Sequence, residues 1–208
     1  MENKQRTLGV LLFPGFELLD VFGPLEMFGM LGDLVRLVLI SERIGPVVSA
    51  QGPEAVASAD FATHPRLDLV LVPGGIGTRK EVANQALLEW LLSVAKTAEV
   101  VASVCTGAGL LAKAGLLDGC LATTNNRAFA WVAEQGPSVH WVKQARWVAA
   151  EGGPVTSSGV SAGIDMSLAL IARLYGTDAA EQVARAAEYE WHRDPTWDPF
   201  AALYGLHD

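Results

Sequence analysis

The sequence predicts an α/β fold, a doubly wound, mostly parallel sheet sandwiched by helices. Three observations predict it. Short apolar runs alternate along the chain with segments of helical length and helical spacing. Several of these runs, such as 67–72 (LDLVLV) and 100–104 (VVASV), are apolar almost throughout, as strands covered on both faces must be. Three of them stop abruptly, at Pro14-Gly15, at Pro73-Gly74-Gly75 and at Cys105 before Thr106-Gly107, where each strand would pass into a turn.

Each element follows from its local pattern. LGVLLF (8–13) is the first strand. Over 16–30, Leu18, Leu19, Phe22, Leu25 and Phe28 gather on one side of a helix. The second strand is 34–40, and 45–59 holds short β pieces, PVVSA and AVASA. After the strand 67–72, residues 84–96 carry Leu87, Leu88, Leu91, Leu92 and Ala95 at helical spacing. The strand 100–104 leads into a helix over 106–117 rich in small residues. A short strand (121–124), a short helix (128–134), a β pair at a sheet edge (139–150) and a strand (155–158) follow. The segment 160–175 is apolar nearly all round and predicts a buried helix. A last helix spans 178–189, opened by Asp178 and Glu181 at capping-box spacing. No linker or repeat interrupts the series, so residues 1–208 are expected to form one domain.

Composition narrows the function classes. A formal net charge of −8, with no Lys/Arg run to neutralise phosphates, argues against a nucleic-acid partner. No apolar stretch approaches the ~20 residues of a membrane span, and the polar start of the chain lacks a signal-peptide core, so a cytoplasmic location is expected. Two cysteines without CxxC spacing fit a reducing compartment better than a disulfide scaffold. The four histidines share no metal-ligand spacing, so neither a metal nor a cofactor is expected.

The segment VVASVCTGAGLLAKAGLL carries the chemistry. Cys105 follows a buried strand directly and precedes a glycine-rich helix start, the layout of a nucleophile elbow with cysteine in place of serine. A thiol at a helix N-terminus is expected to have a lowered pKa and to act as a thiolate nucleophile. Cys120, after the turn Leu117-Asp118-Gly119, reads instead as a small apolar filler. Gly74, Gly75 and Ile76 follow the strand 67–72, at the same sheet edge, where backbone N–H groups approach a bound oxygen. Asp20 lies among Leu19, Val21 and Phe22, surroundings that raise a carboxyl pKa and suit it to exchange a proton with the thiol. Glu17 is expected to be solvated. Asp165 caps or packs the helix 160–175, with a share in the pocket as the alternative. Trp191, Trp197, Phe200 and Tyr204 make a tail expected to wrap the domain or to cover an interface.

Together, LLFPGFELLDVFGPLEMF, LVPGG, VASVCTGAGLLAKAGLLDG, ATT and SSGVSAGIDMSL resemble the ThiJ/PfpI superfamily, a branch of the class I glutamine-amidotransferase-like fold, and within it the isonitrile hydratase-like group. The resemblance implies a flavodoxin-like sheet, Cys105 as nucleophile, Asp20 as its acid/base partner, Thr106 beside the thiol, backbone donors near Gly75 and a homodimer. The chain departs from the family where many members read ATTHW. Here the stretch is ATTNNR, and Asn125 stands in the histidine's place, so a Cys–His pair is not expected. Asn125, Ser161 and Asp165 are candidate pocket residues. The activity implied is a cofactor-free, hydratase-type lyase turning a small isonitrile and water into an N-substituted formamide. The alternatives are glyoxalase or deglycase chemistry on 2-oxoaldehydes, and a ligand or redox sensor acting through Cys105.

Overall fold

A computed structural model describes residues 5–207. The chain opens with β1 (Arg6–Leu11), turns at residues 12–17, and enters α1 (Leu18–Gly29). Then come β2 (Val35–Ser41), the hairpin strands β3 (Gly45–Val48) and β4 (Glu54–Ala57), the two-residue β5 (Ala59–Asp60), and β6 (Leu69–Val72). A short α2 (Thr78–Glu81) precedes α3 (Gln85–Ala95). The latter starts where the Asn84 side chain accepts the Leu87 N–H at 3.2 Å, a cap worth about 1 kcal/mol. It buries Leu87, Trp90, Leu91 and Val94, as its spacing predicts. β7 (Val100–Val104) is buried at every residue and runs into α4 (Gly107–Lys113).

The rest is β8 (Leu121–Ala122), α5 (Phe129–Gln135), β9 (His140–Trp141), β10 (Trp147–Ala149), β11 (Val155–Ser157), α6 (Ala162–Tyr175) and α7 (Thr177–Ala186). The seven-stranded sheet has the order β10-β11-β7-β6-β1-β2-β5, and only the β10–β11 pair is antiparallel. Its five central strands, read from β2, give the flavodoxin-like order. The chain leaves β1 toward β2 on one side, then returns to add β6, β7 and β11 on the other. The carboxyl ends of β1, β6 and β7 therefore lie side by side at the point where the winding reverses, which is where ligands of such sheets bind.

Two expectations change. Residues 139–150 do not pair with each other. β9 adds in parallel to β8, while β10 forms the sheet edge against β11, because the intervening residues 142–146 turn away and bring Arg146 into the interior. The last helix has no capping box. Its cap position is Gly176, with no side-chain hydrogen bond, and Glu181 reaches outward to Arg193 at 3.0 Å.

The tail after α7 wraps the domain through one buried ion pair. Arg146 Nε donates to Asp165 Oδ2 at 2.5 Å, with the two side chains 4 % and 0 % exposed. Asp165 Oδ1 accepts the Tyr189 hydroxyl at 3.1 Å and the His192 N–H at 3.0 Å. The Arg146 N–H donates to the Pro195 carbonyl at 2.7 Å, and Asn126 Nδ2 donates to Asp198 at 2.9 Å. Phe200, Leu203 and Tyr204 remain exposed. So do Leu19, Phe22, Leu37 and Val56, an apolar patch across α1, β2 and β4.

Candidate active site

Cys105 sits at the tip of the β7–α4 turn with φ +57°, one of two non-glycine residues in the left-handed region among the described residues. For an L-residue this conformation costs about 1–2 kcal/mol and persists only where neighbours enforce it. They do so here. The Cys105 N–H lies 3.1 Å from the Ser157 carbonyl and 3.2 Å from that of Ser158, and the Thr124 hydroxyl donates to the Cys105 carbonyl at 2.8 Å. The nucleophile elbow is thus present, held by the ends of β8 and β11.

Asp20, in the first turn of α1, is fully buried beside it. Its Oδ2 accepts the Gly74 N–H at 2.8 Å, while Oδ1 has no hydrogen-bond partner to satisfy it. Burial pushes the Asp20 pKa up to about 8, and the nearby charge of Glu17 adds to the rise, against the opposing Gly74 N–H and the Cys105 thiol. The expectation of a lowered thiol pKa is corrected. Burial first, and the Asp20 carboxylate second, push Cys105 well above the ordinary thiol range, and the Thr106 N–H offsets only part of this. α4 has seven residues, too short a dipole to outweigh removal from water. Cys105 and Asp20 are thus a pair of neighbouring groups in both of which burial favours the neutral form.

The expected backbone donors need the same correction. Gly74 gives its N–H to Asp20, and Gly75 gives its N–H to Thr106 Oγ1 at 3.0 Å. The Thr106 hydroxyl is also joined by Thr78 Oγ1 at 3.1 Å, so it fastens the loop after β6 to the elbow and does not turn toward the thiol. Of the three expected donors, only Ile76 keeps a backbone N–H with no acceptor among the described residues, on the exposed rim. Gly75 is obligatory for shape. Its φ is +125°, and a Cβ would lie 2.3 Å from the Gly15 carbonyl oxygen.

Glu17 is half-buried, not solvated. Its carboxylate accepts a hydrogen bond from Gln51, and its charge raises both Asp20 and Cys105. Ser161 and Asp165 are drawn into the tail network. Asp165 pairs with Arg146, and Arg146 Nη2 reaches Ser161 Oγ at 3.5 Å. Asn125 and the thiol both face Gly159. A side chain built there would begin 2.0 Å from Asn125 Nδ2 and 3.4 Å from Cys105 Sγ, so any side chain at this position would push the amide aside. Sequence reasoning missed Arg146 and Thr78, and neither carried a signal. Gly159 did carry one, as a small residue after the strand end 155–158 that permits close packing against the turn at Cys105, and it packs there. A cleft of about 820 Å³ lies between the segments after β1 and β2, β3 and the stretch from α2 to the start of α3, and none of Cys105, Asp20 or Asn125 lines it.

A strained, buried cysteine with a buried acid at the winding reversal of a flavodoxin-like sheet defines the class of site. The chain matches the DJ-1/PfpI family over residues 6–173, and it belongs to that family. It is similar to isonitrile hydratase of Pseudomonas putida, 35 % identical over 183 residues that cover 88 % of this chain and 78 % of that one. It is also similar to the HTH-type transcriptional regulator CdhR of Pseudomonas aeruginosa, 30 % identical over 84 % of this chain but only 52 % of the regulator, about half its length. Among solved structures, a ThiJ/PfpI family protein from Pseudomonas syringae superposes with a TM-score of 0.83 at 31 % identity, covering 93 % of this chain and 78 % of that one.

Proposed function

We propose that the protein is a cysteine-dependent hydratase of small isonitriles. The observation that carries this reading is the Cys105–Asp20 pair, a positive-φ thiol against a buried carboxyl with one unsatisfied oxygen. The similarity to isonitrile hydratase supports it. Asp20, as the carboxylate, takes the Cys105 thiol proton, and the sulfur forms a bond to the terminal isonitrile carbon as one C–N π pair moves to nitrogen. The carbon's lone pair takes the proton held by Asp20, giving a thioformimidate. Asp20, now a carboxylate, accepts a proton from water as its oxygen adds to the same carbon. The C=N π pair moves to nitrogen, which takes that proton from Asp20; the O–H bond pair then closes the carbonyl as the C–S bond breaks with its electrons returning to sulfur, the hydroxyl proton passes by way of Asp20 to the thiolate, and an N-substituted formamide leaves. Atoms balance as isonitrile plus water, with no cofactor.

A second reading is a ligand-binding module without turnover, supported by the similarity to a transcriptional regulator. Formamide production from an aliphatic isonitrile, followed by chromatography, separates the two. The hydratase reading expects turnover that disappears in Cys105→Ala, and binding without product refutes it. We also propose a homodimer formed through the apolar patch of Leu19, Phe22, Leu37 and Val56, side chains 41 %, 44 %, 37 % and 63 % exposed.

A further inference from the structure

An addition site needs a donor for the atom that gains electrons, and of the three backbone amides expected to serve, those of Gly74 and Gly75 are already bonded to Asp20 and Thr106, while that of Ile76 lies on the exposed rim. One side chain beside the thiol has a donor to spare. Asn125 Oδ1 accepts the Ala128 N–H at 3.0 Å, capping the turn Asn126–Ala128. That bond fixes which end of the amide is which, so Nδ2 is the end lying against Gly159, the residue that Cys105 Sγ also faces. Nδ2 donates to no acceptor among the described residues.

We propose that Asn125 is the electrophilic catalytic residue of the site: its Nδ2–H₂ group hydrogen-bonds the heteroatom that gains an electron pair when the Cys105 sulfur adds to a carbon electrophile. In addition to an isonitrile that atom is the nitrogen. In addition to an aldehyde it is the carbonyl oxygen, whose π pair becomes an alkoxide lone pair as the S–C bond forms. An amide does not ionise near neutral pH, so Asn125 stabilises the charge and Asp20 delivers the proton. This division of labour explains how the site works without a second base. Gly159 belongs to the device, because any side chain there would displace the amide. The proposal rests on Cys105 as nucleophile, not on isonitriles as substrate.

The test uses Asn125→Ser, whose hydroxyl keeps the cap acceptor but falls short of the thiol, and Asn125→Ala as its companion. Three readouts separate the possibilities. Alkylation of Cys105 by iodoacetamide, a displacement with no oxyanion to hold, is expected to stay within threefold of wild type. Protection of Cys105 against that alkylation by propionaldehyde, which adds reversibly, is expected to need about five- to tenfold more aldehyde, the loss of one hydrogen bond. Where isonitrile turnover is present, kcat is expected to fall about 10²–10³-fold. Unchanged aldehyde protection in both variants overturns the proposal, as does a wild-type thiol that aldehyde never protects. A parallel loss of alkylation also overturns it, because Asn125 would then only shape the elbow. A shift in aldehyde protection with no isonitrile turnover in wild type sustains the role of Asn125 and refutes the hydratase reading alone.

Discussion

Asp20→Asn should make the folded protein more stable above pH 5, and increasingly so up to pH 8. The sign follows from linkage. The unfolded carboxyl has its ordinary value near 3.8, and the folded one is pushed up to about 8 by burial. Between these values the folded state holds a proton that the unfolded state has lost, so stability falls as pH rises through this window and levels off above it. Each unit of pH there removes about 1.4 kcal/mol, so wild type loses roughly 4 kcal/mol between pH 5 and pH 8 from this group. For a chain of this size that corresponds to about 8–16 °C in Tm. Asparagine keeps an acceptor for the Gly74 N–H and has no proton to lose, so its melting temperature should lack this slope. Cys105 does not confound the comparison, because its unfolded thiol ionises only near pH 8.5 and above. Thermal unfolding of both proteins at pH 5, 6, 7 and 8 checks this. Parallel Tm curves would mean that Asp20 ionises freely in the folded protein, and the account of the dyad would fail.

The same variant should lose about 10²–10⁴-fold in turnover on a confirmed substrate while Cys105 is still alkylated, and above pH 8 faster than in wild type, because the carboxylate that raises the thiol pKa is gone; full activity removes Asp20 from the mechanism. In wild type, mass spectrometry should show the alkylation rate of Cys105 still climbing above pH 9, because burial and the Asp20 carboxylate hold the thiol pKa up, and a rate that levels off below pH 8 contradicts this. Asp165→Asn strips a buried arginine of its partner and should destabilise by about 3–5 kcal/mol, with new protease cleavage between residues 187 and 200; a loss under about 1 kcal/mol in urea unfolding refutes the tail anchor. Gly159→Ala, which places a methyl 2.0 Å from the Asn125 amide, should depress turnover at least tenfold, and unimpaired turnover would contradict the packing described. Light scattering should give about twice the 22.1 kDa chain mass, and Phe22→Lys should shift it toward one chain; a single-chain mass in wild type rules the dimer out.

Much of the fold was legible because the sheet is buried on both faces. β6 and β7 read as uninterrupted apolar runs, and the residue types that end them, Pro73-Gly74-Gly75 and Cys105-Thr106-Gly107, name the turns. β9 and β10 were illegible. Two- and three-residue strands carry no periodicity, and their partners are fixed by where Arg146 must go. The nucleophile was legible from order along the chain, and its ionisation was not. A sequence shows that Cys105 precedes a helix, but not that the thiol is 6 % exposed with a carboxyl against it. The donors were misassigned for a related reason. Glycines announce that backbone N–H groups are accessible, while their engagement by Asp20 and Thr106 is decided by residues more than thirty positions away.

The most direct test of the central claim, that Cys105 and Asp20 together add water to a small carbon electrophile, is a single assay on three proteins. Purified wild type, Cys105→Ala and Asp20→Asn are incubated at pH 7.5 with cyclohexyl isocyanide, and N-cyclohexylformamide is quantified against time. The account predicts product from wild type, none above background from Cys105→Ala, and a rate reduced at least 10²-fold in Asp20→Asn. Formamide produced by Cys105→Ala at the wild-type rate, or no product from a wild-type protein whose Cys105 is fully reduced, would contradict it.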